Sequence, residues 1–193
     1  GGVDNMFPHH TNEIAQSEAY LGHKWCNYWF HVHHLNDQSG KMSKSKGEFL
    51  TVTLLLEKGY NPLAYRLFCL QSHYRKPLVF SFEALDQAAG TYNKLKKRIA
   101  DIKEEGSVDE ATVKKWKEKF VEAVGNDVNT SMGITLLYDV LKTDLNGATK
   151  RAVIASYDEV LGLDLLKAEE KEETSVDAEL EAFVLAKIEE RAA

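Results

Sequence analysis

The spacing of apolar residues changes character near residue 83. Beyond it, apolar side chains recur every three or four positions, as at Leu136, Leu137, Val140 and Leu141, which is the pattern of helices that bury one face. It predicts helices over Glu83 to about Glu104, Asp109 to about Val124, Ser131 to Lys142 and Ala148 to Leu161, with a fraying segment from Asp177. "AEEKEETS", residues 168–175, has no apolar rhythm and reads as a polar linker.

The first 82 residues are more varied. "TNEIAQSEAYLG" reads as a short helix with Thr11 or Asn12 near its start and Gly22 as its stop. "NYWFHVHHLN", residues 27–36, is rich in aromatic and β-branched residues and predicts a strand. "TVTLLLEKGY" predicts a short capped helix ended by Gly59. Asn61-Pro62 then pairs a capping residue with proline at the first helical position, opening the largely apolar helix "LAYRLFCLQSHY". "RKPLVFSF", residues 75–82, reads as extended. The predicted organisation is an α/β piece over 1–50, a connecting region over 51–82, and a helical bundle over 83–193.

Composition narrows the class. Of 193 residues, 44% are hydrophobic and 28% charged, the balance of a soluble globular protein. No apolar run approaches the ~20 residues that a membrane helix requires, so no membrane partner is expected. Cys26 and Cys69 form no CxxC pair, and a reducing, cytoplasmic setting is the expectation. The chain opens on a glycine pair without an initiator methionine, which predicts a start inside a larger fold. Charge is unevenly placed: residues 1–103 hold 13 Lys/Arg against 9 Asp/Glu, and residues 104–193 hold 11 against 21. All seven histidines lie between His9 and His73, so ligand and phosphate chemistry is expected in the basic half.

Three stretches there can carry chemistry. "GKMSKSKGEF", residues 40–49, sets lysines and small hydroxyl residues between glycines. Lys41 and Lys44 are flexible point charges suited to triphosphate oxygens, Ser43 and Ser45 add donors, and the glycines let a loop open and close. His9 and Glu13 stand four apart at a helix start and project from one face. Imidazole and carboxylate are Zn²⁺ ligand types, yet two donors leave a tetrahedral site incomplete. In "GVDNMFPHH", Gly2 permits close backbone approach to a ligand. Asp4 either accepts from sugar hydroxyls, as acidic residues do in nucleotide folds, or closes a turn with glycine.

The order of residues in "KMSKS", Lys41 to Ser45, is the signature of class I aminoacyl-tRNA synthetases. "GGVDNMFPHHTNEIAQSEA", "YWFH", "KMSKSKGEFLTV", "YNPLAYRLFCLQSHYRKPLVFS" and "NDVNTSMGITLLYDVL" together resemble the cysteinyl-tRNA synthetase family. The resemblance implies a fold: part of a Rossmann-like nucleotide-binding catalytic domain, then a mostly α-helical tRNA-binding bundle, predominantly α overall. It implies ATP-dependent activation of cysteine and its transfer to tRNA, with ATP bound as its Mg²⁺ complex and a monomeric chain. His9 and Glu13 are then two ligands of a Zn²⁺ that binds the substrate thiol, with His10 a neighbour. Gly2, Asp4, Lys41, Met42, Ser43, Lys44 and Ser45 form the ATP site, with Lys41 and Lys44 catalytic. His31 either faces the nucleotide or is held by strand hydrogen bonds.

The family's HIGH-type histidine motif and its two upstream zinc cysteines are absent. The resemblance therefore implies a carboxy-terminal half that is inactive alone, with Cys26 and Cys69 as core residues. Lys94, Lys96, Lys97, Arg98 and Lys103 form a basic cluster that reads either as a phosphate contact or as a solvated helix face. Two other readings remain: a cysteine-adenylating ligase that acts on a small amine sugar, and a non-catalytic tRNA-binding paralogue.

Overall fold

A computed structural model describes residues 1–37 and 51–168, and the backbone of residues 40 and 41. Met42, Ser43, Lys44 and Ser45, the side chain of Lys41, all but the first residue of the 168–175 linker, and the segment from Asp177 lie outside the described residues.

The predicted helices form, and their starts follow local chemistry. After a 3-10 turn at Val3–Asn5 and a π-type turn at Met6–His10, helix α1 runs Thr11–Leu21 and stops at Gly22, whose φ of 73° suits glycine. Strands β1 (Leu35–Asp37) and β2 (Gly40–Lys41) follow. Thr51 caps α2 (Val52–Glu57) and Asn61 caps α3 (Pro62–Leu70), each side chain accepting a backbone N–H that the first turn leaves unpaired. Strand β3 is Leu78–Val79. Ser81, Asp109, Asn129 and Asn146 cap α4 (Phe82–Ala100), α5 (Glu110–Gly125), α6 (Thr130–Lys142) and α7 (Gly147–Leu161) in the same way. Helix α4 ends at Ala100, short of the expected Glu104, and α3 ends at Leu70.

The strand expected over 27–36 is the main correction. Only Leu35–Asp37 forms a strand, and upstream of it there is a single parallel bridge, Val32 to Gly2. A strand needs a neighbour to pair with. The segment beside Val32 turns into the 3-10 helix at Val3, so the ladder stops after one rung. The sheet has the order β2-β1-β3, with β1 antiparallel to β2 and parallel to β3 in the register Leu35↔Leu78 and Asn36↔Val79. Of the extended stretch expected over 75–82, only Leu78–Val79 is strand, because Ser81 is already a helix cap.

Two apolar clusters hold these elements. Ala64, Leu67, Tyr92, Leu95, Leu137, Val153, Ile154 and Tyr157 lie in the larger one, which packs α3 against α4 to α7. Leu55, Phe68, Phe80, Leu85 and Ala88 form the smaller one beneath the sheet. Helices α3 and α4 serve both, so they tie the sheet region to the bundle. The fold is predominantly helical, as expected, and no described helix is long and apolar enough to cross a membrane.

Polar groups seal the end of the bundle. The Lys96 ammonium, in a residue only 8% exposed, donates to the Asp164 carbonyl at 2.6 Å and the Lys167 carbonyl at 2.5 Å. Tyr92 donates to the Leu163 carbonyl at 2.8 Å, and Arg66 Nε to the Leu161 carbonyl at 2.5 Å. At the other end, Gly147 starts α7 against the backbone of Lys103, where an added Cβ would lie 1.7 Å from the carbonyl oxygen. Gly147→Ala is expected to cost roughly 2 kcal/mol, seen as a Tm fall of about 4–8 °C. Gly90→Ala is the control. A Cβ there meets nothing within 4 Å in mid-helix α4, so a small gain in Tm is expected.

Candidate active site

The site is built on one close approach. Gly1 to Val3 run beside Phe30 to Val32, with Val32 N donating to the Gly1 carbonyl at 2.9 Å and Val3 N to the Val32 carbonyl at 3.1 Å. A Cβ on Gly2 would stand 2.3 Å from Asp4 Oδ1 and 2.9 Å from His34 Cε1. A side chain here would displace the Asp4 carboxylate and the His34 ring, although the φ of −72° suits any residue. The space is filled by the contact of Asp4 Oδ1 with His34 Nε2 at 3.2 Å, with the Asp4 side chain 52% exposed. A half-exposed carboxylate beside an imidazole is of the chemical type that accepts from a ligand's hydroxyls.

A second group lies next to it. His10 Nδ1 and His31 Nε2 share one hydrogen bond at 2.8 Å, so one ring donates and the other accepts. Trp29 packs on His10 with ring centroids 4.7 Å apart, and Trp25 meets Trp29 edge-on at 5.7 Å. Desolvation, then the nearby His10, lower the His31 pKa below its ordinary value. Lowering favours the neutral ring, as an acceptor in this pair requires.

The expected zinc ligands are placed differently. His9 closes the π-type turn, Glu13 lies in the first turn of α1, and both are exposed. Among the described residues no group of three or more His, Cys, Asp or Glu is gathered in a way that could hold a metal ion. Cys26 donates to the Tyr28 carbonyl at 3.1 Å, and burial pushes the Cys69 thiol up from its ordinary pKa. Both cysteines are half-buried and reduced. The donor types at His9 and Glu13 suit zinc, but these residues do not complete a site.

Lys41 is placed by its backbone alone. It pairs with Asn36 across β1 and β2, so the "KMSKS" stretch leaves directly from the edge of the small sheet. The basic cluster of α4 and the residues just after it divides. Lys94, Lys97 and Arg98 are exposed, Lys103 faces Glu105 at 3.9 Å, and Lys96 is turned inward to carbonyls. Lys96 is thereby a structural cation, which a run of lysines in sequence does not reveal. The Asp4–His34 pair was also not legible, because it depends on the Gly2–Val32 bridge and on no local spacing.

Residues 1–90 match the family model described as the tRNA synthetases class I (C) catalytic domain. That match gives the class, the class I aminoacyl-tRNA synthetases. Relatives extend the match beyond residue 90. A cysteine–tRNA ligase of Novosphingobium aromaticivorans is 39% identical over 89% of this chain and 37% of its own length. One from Brachyspira hyodysenteriae is 44% identical over 74% of this chain and 32% of its own length. One from an Exiguobacterium species is 38% identical over 100% of this chain and 45% of its own length. The chain belongs to the cysteine–tRNA ligase family, and it spans less than half the length of these curated relatives.

Proposed function

We propose that this chain contributes to an enzyme that activates L-cysteine with ATP and transfers it to tRNA. The observation that carries the reading is the juxtaposition at the small sheet. The lysine-bearing signature stretch departs from β2, and the Gly2–Asp4 turn is bridged to the segment that leads into β1. Asp4 accepts from the ribose hydroxyls of ATP, oriented by His34, and Gly2 keeps the approach open. Lys41 and Lys44 neutralise the phosphates, and Met42, Ser43 and Ser45 of the same stretch contribute to ATP binding.

In the first step a carboxylate oxygen of cysteine bonds to the α-phosphorus. The bond to the bridging oxygen breaks, and pyrophosphate leaves with Mg²⁺. The protein's work is to position the two reactants and offset the growing negative charge on the leaving group. In the second step a hydroxyl of the terminal adenosine of tRNA takes the cysteinyl group and AMP departs. The exposed Lys94, Lys97 and Arg98 of α4 are the proposed tRNA phosphate contacts, and the helices from α4 onward its docking bundle. A bound Zn²⁺ would supply soft Lewis acidity that prefers sulfur to oxygen, with His9 and Glu13 as two of its ligands. The steps above do not depend on it.

The test is ATP–pyrophosphate exchange by the full-length gene product with cysteine or serine. The expected result is exchange with cysteine exceeding that with serine by at least about 10²-fold. Absence of cysteine-dependent exchange in a folded, zinc-supplemented protein would sink the reading.

A further inference from the structure

The turn between α5 and α6 carries a group of charges that the chemistry above leaves unused. Asp127 accepts from Arg75 Nε at 2.6 Å, from Arg75 Nη2 at 3.2 Å and from the Tyr74 hydroxyl at 2.5 Å. His73 Nε2 stands 3.8 Å away. The Arg75 guanidinium, helped by the Tyr74 hydroxyl, lowers the Asp127 carboxyl to about 2, so the acceptor stays ionised. Asp127 and Val128 both hold positive φ, 57° and 55°. That region is sparsely populated, and for β-branched Val128 it is a true outlier held in place by its surroundings.

The donors that Asp127 holds reach the candidate site directly. The Tyr74 ring stacks on Phe30 at 4.2 Å, and the Tyr74 carbonyl accepts from His33 N at 3.0 Å. Phe30 and His33 flank His31, which pairs with His10, and Val32, which bridges Gly2. Beside this path lies a cavity of about 310 Å³ lined by His33, Cys69, His73, Tyr74 and Val128, so packing does not fill the seam there. Thr130 Oγ1 also ties the bundle to the Leu70 carbonyl at 2.8 Å, but that bond ends on α3. Among the described contacts, the Asp127 group is the one that links the α5–α6 turn to the segment carrying His31.

We propose that Asp127 is a positioning residue that couples the helical bundle to the nucleotide site: by holding Arg75 and Tyr74, it passes displacement of the strained α5–α6 turn to residues 30–33. The role in tRNA charging rests on the proposed function above. Coupling of this kind acts through an element that both sites bias, and the Asp127 turn stands between the bundle and the Tyr74–Arg75 segment.

The experiment compares the full-length gene product with its Asp127→Asn and Arg75→Gln variants and the double variant. Asparagine tolerates positive φ but removes the charge. Expected are pyrophosphate exchange within about twofold of the parent and tRNA charging lowered on the order of tenfold. The double variant should be no worse than either single one, since each breaks the same contact. Backbone amides of Val32 and His33 should also exchange with solvent faster at unchanged Tm. Equal loss in both reactions, no loss in either, or unchanged amide exchange would overturn the proposal. If the parent shows no pyrophosphate exchange, the proposed function fails. Amide exchange then still decides the coupling: faster supports it, unchanged refutes it.

Discussion

Lys44→Ala in the full-length gene product is expected to lower cysteine-dependent ATP–pyrophosphate exchange by about 10²–10³-fold. The charge that develops on the leaving pyrophosphate is largest in the transition state. A cation placed for it therefore contributes more to kcat than to ATP binding. The mutant should show a large fall in kcat and a smaller change in KM for ATP, which separates this role from simple nucleotide binding. Lys44→Arg should restore only part of the rate, because the planar guanidinium cannot present the compact charge of an ammonium. A loss below about threefold for Lys44→Ala would mean that the loop positions the nucleotide without stabilising the reaction, and Lys41 would then be the residue to test. The argument for Lys44 rests on its place in "KMSKS", three residues beyond the Lys41 backbone that the small sheet anchors.

Leu137→Ala is expected to be among the most destabilising single changes in the bundle. Leu137 is fully buried on α6 inside the larger cluster, with α5 and α7 packed beside α6. Truncation removes the transfer free energy of the missing carbons and leaves a space that the stacked Phe120–Tyr157 pair, with rings 4.2 Å apart, is not free to fill. The expected loss is about 3 kcal/mol, within the range of roughly 2–5 for such changes. For a domain of this size it corresponds to a Tm fall of roughly 6–12 °C. Val121→Ala on α5, where the side chain is 59% exposed, should change stability by less than about 0.5 kcal/mol. Matching losses for the two variants in chemical denaturation would show that the α5–α7 layer is not a tightly packed core.

The helical half was readable because its signals are local. Asn61-Pro62 before α3 and Gly22 after α1 act on groups within a few residues of themselves, and the structure uses both as expected, whereas Asp109, expected as the first residue of its helix, caps α5 from outside. The starts expected at Glu83, Ser131 and Ala148 lie one residue late, because Ser81, Asn129 and Asn146 act as the caps. Apolar periodicity likewise located Leu137 and Val140 in the core. The stretch "NYWFHVHHLN" forms less strand than its residue types suggest, because residue type measures only the suitability of a strand, whereas pairing requires a second segment at the right height. Here that segment, Gly1 to Val3, stays alongside for one rung.

The candidate site divides in the same way. "KMSKS", Gly2, Asp4, His9 and Glu13 could be named from residue order alone, since their chemistry is a property of side-chain type and short spacing. Which groups meet could not. Asp4 finds His34, His10 finds His31, and Asp127 gathers Arg75 and Tyr74 from the connection between α3 and β3. Lys96, readable from sequence either as a phosphate contact or as part of a solvated helix face, instead donates to the Asp164 and Lys167 carbonyls. Helix caps and apolar periods are encoded within a turn or two of chain, so the linear order of residues suffices for them. Pairs separated by tens of residues exist only where packing of the elements brings their backbones within hydrogen-bonding distance, and no local pattern carries that information.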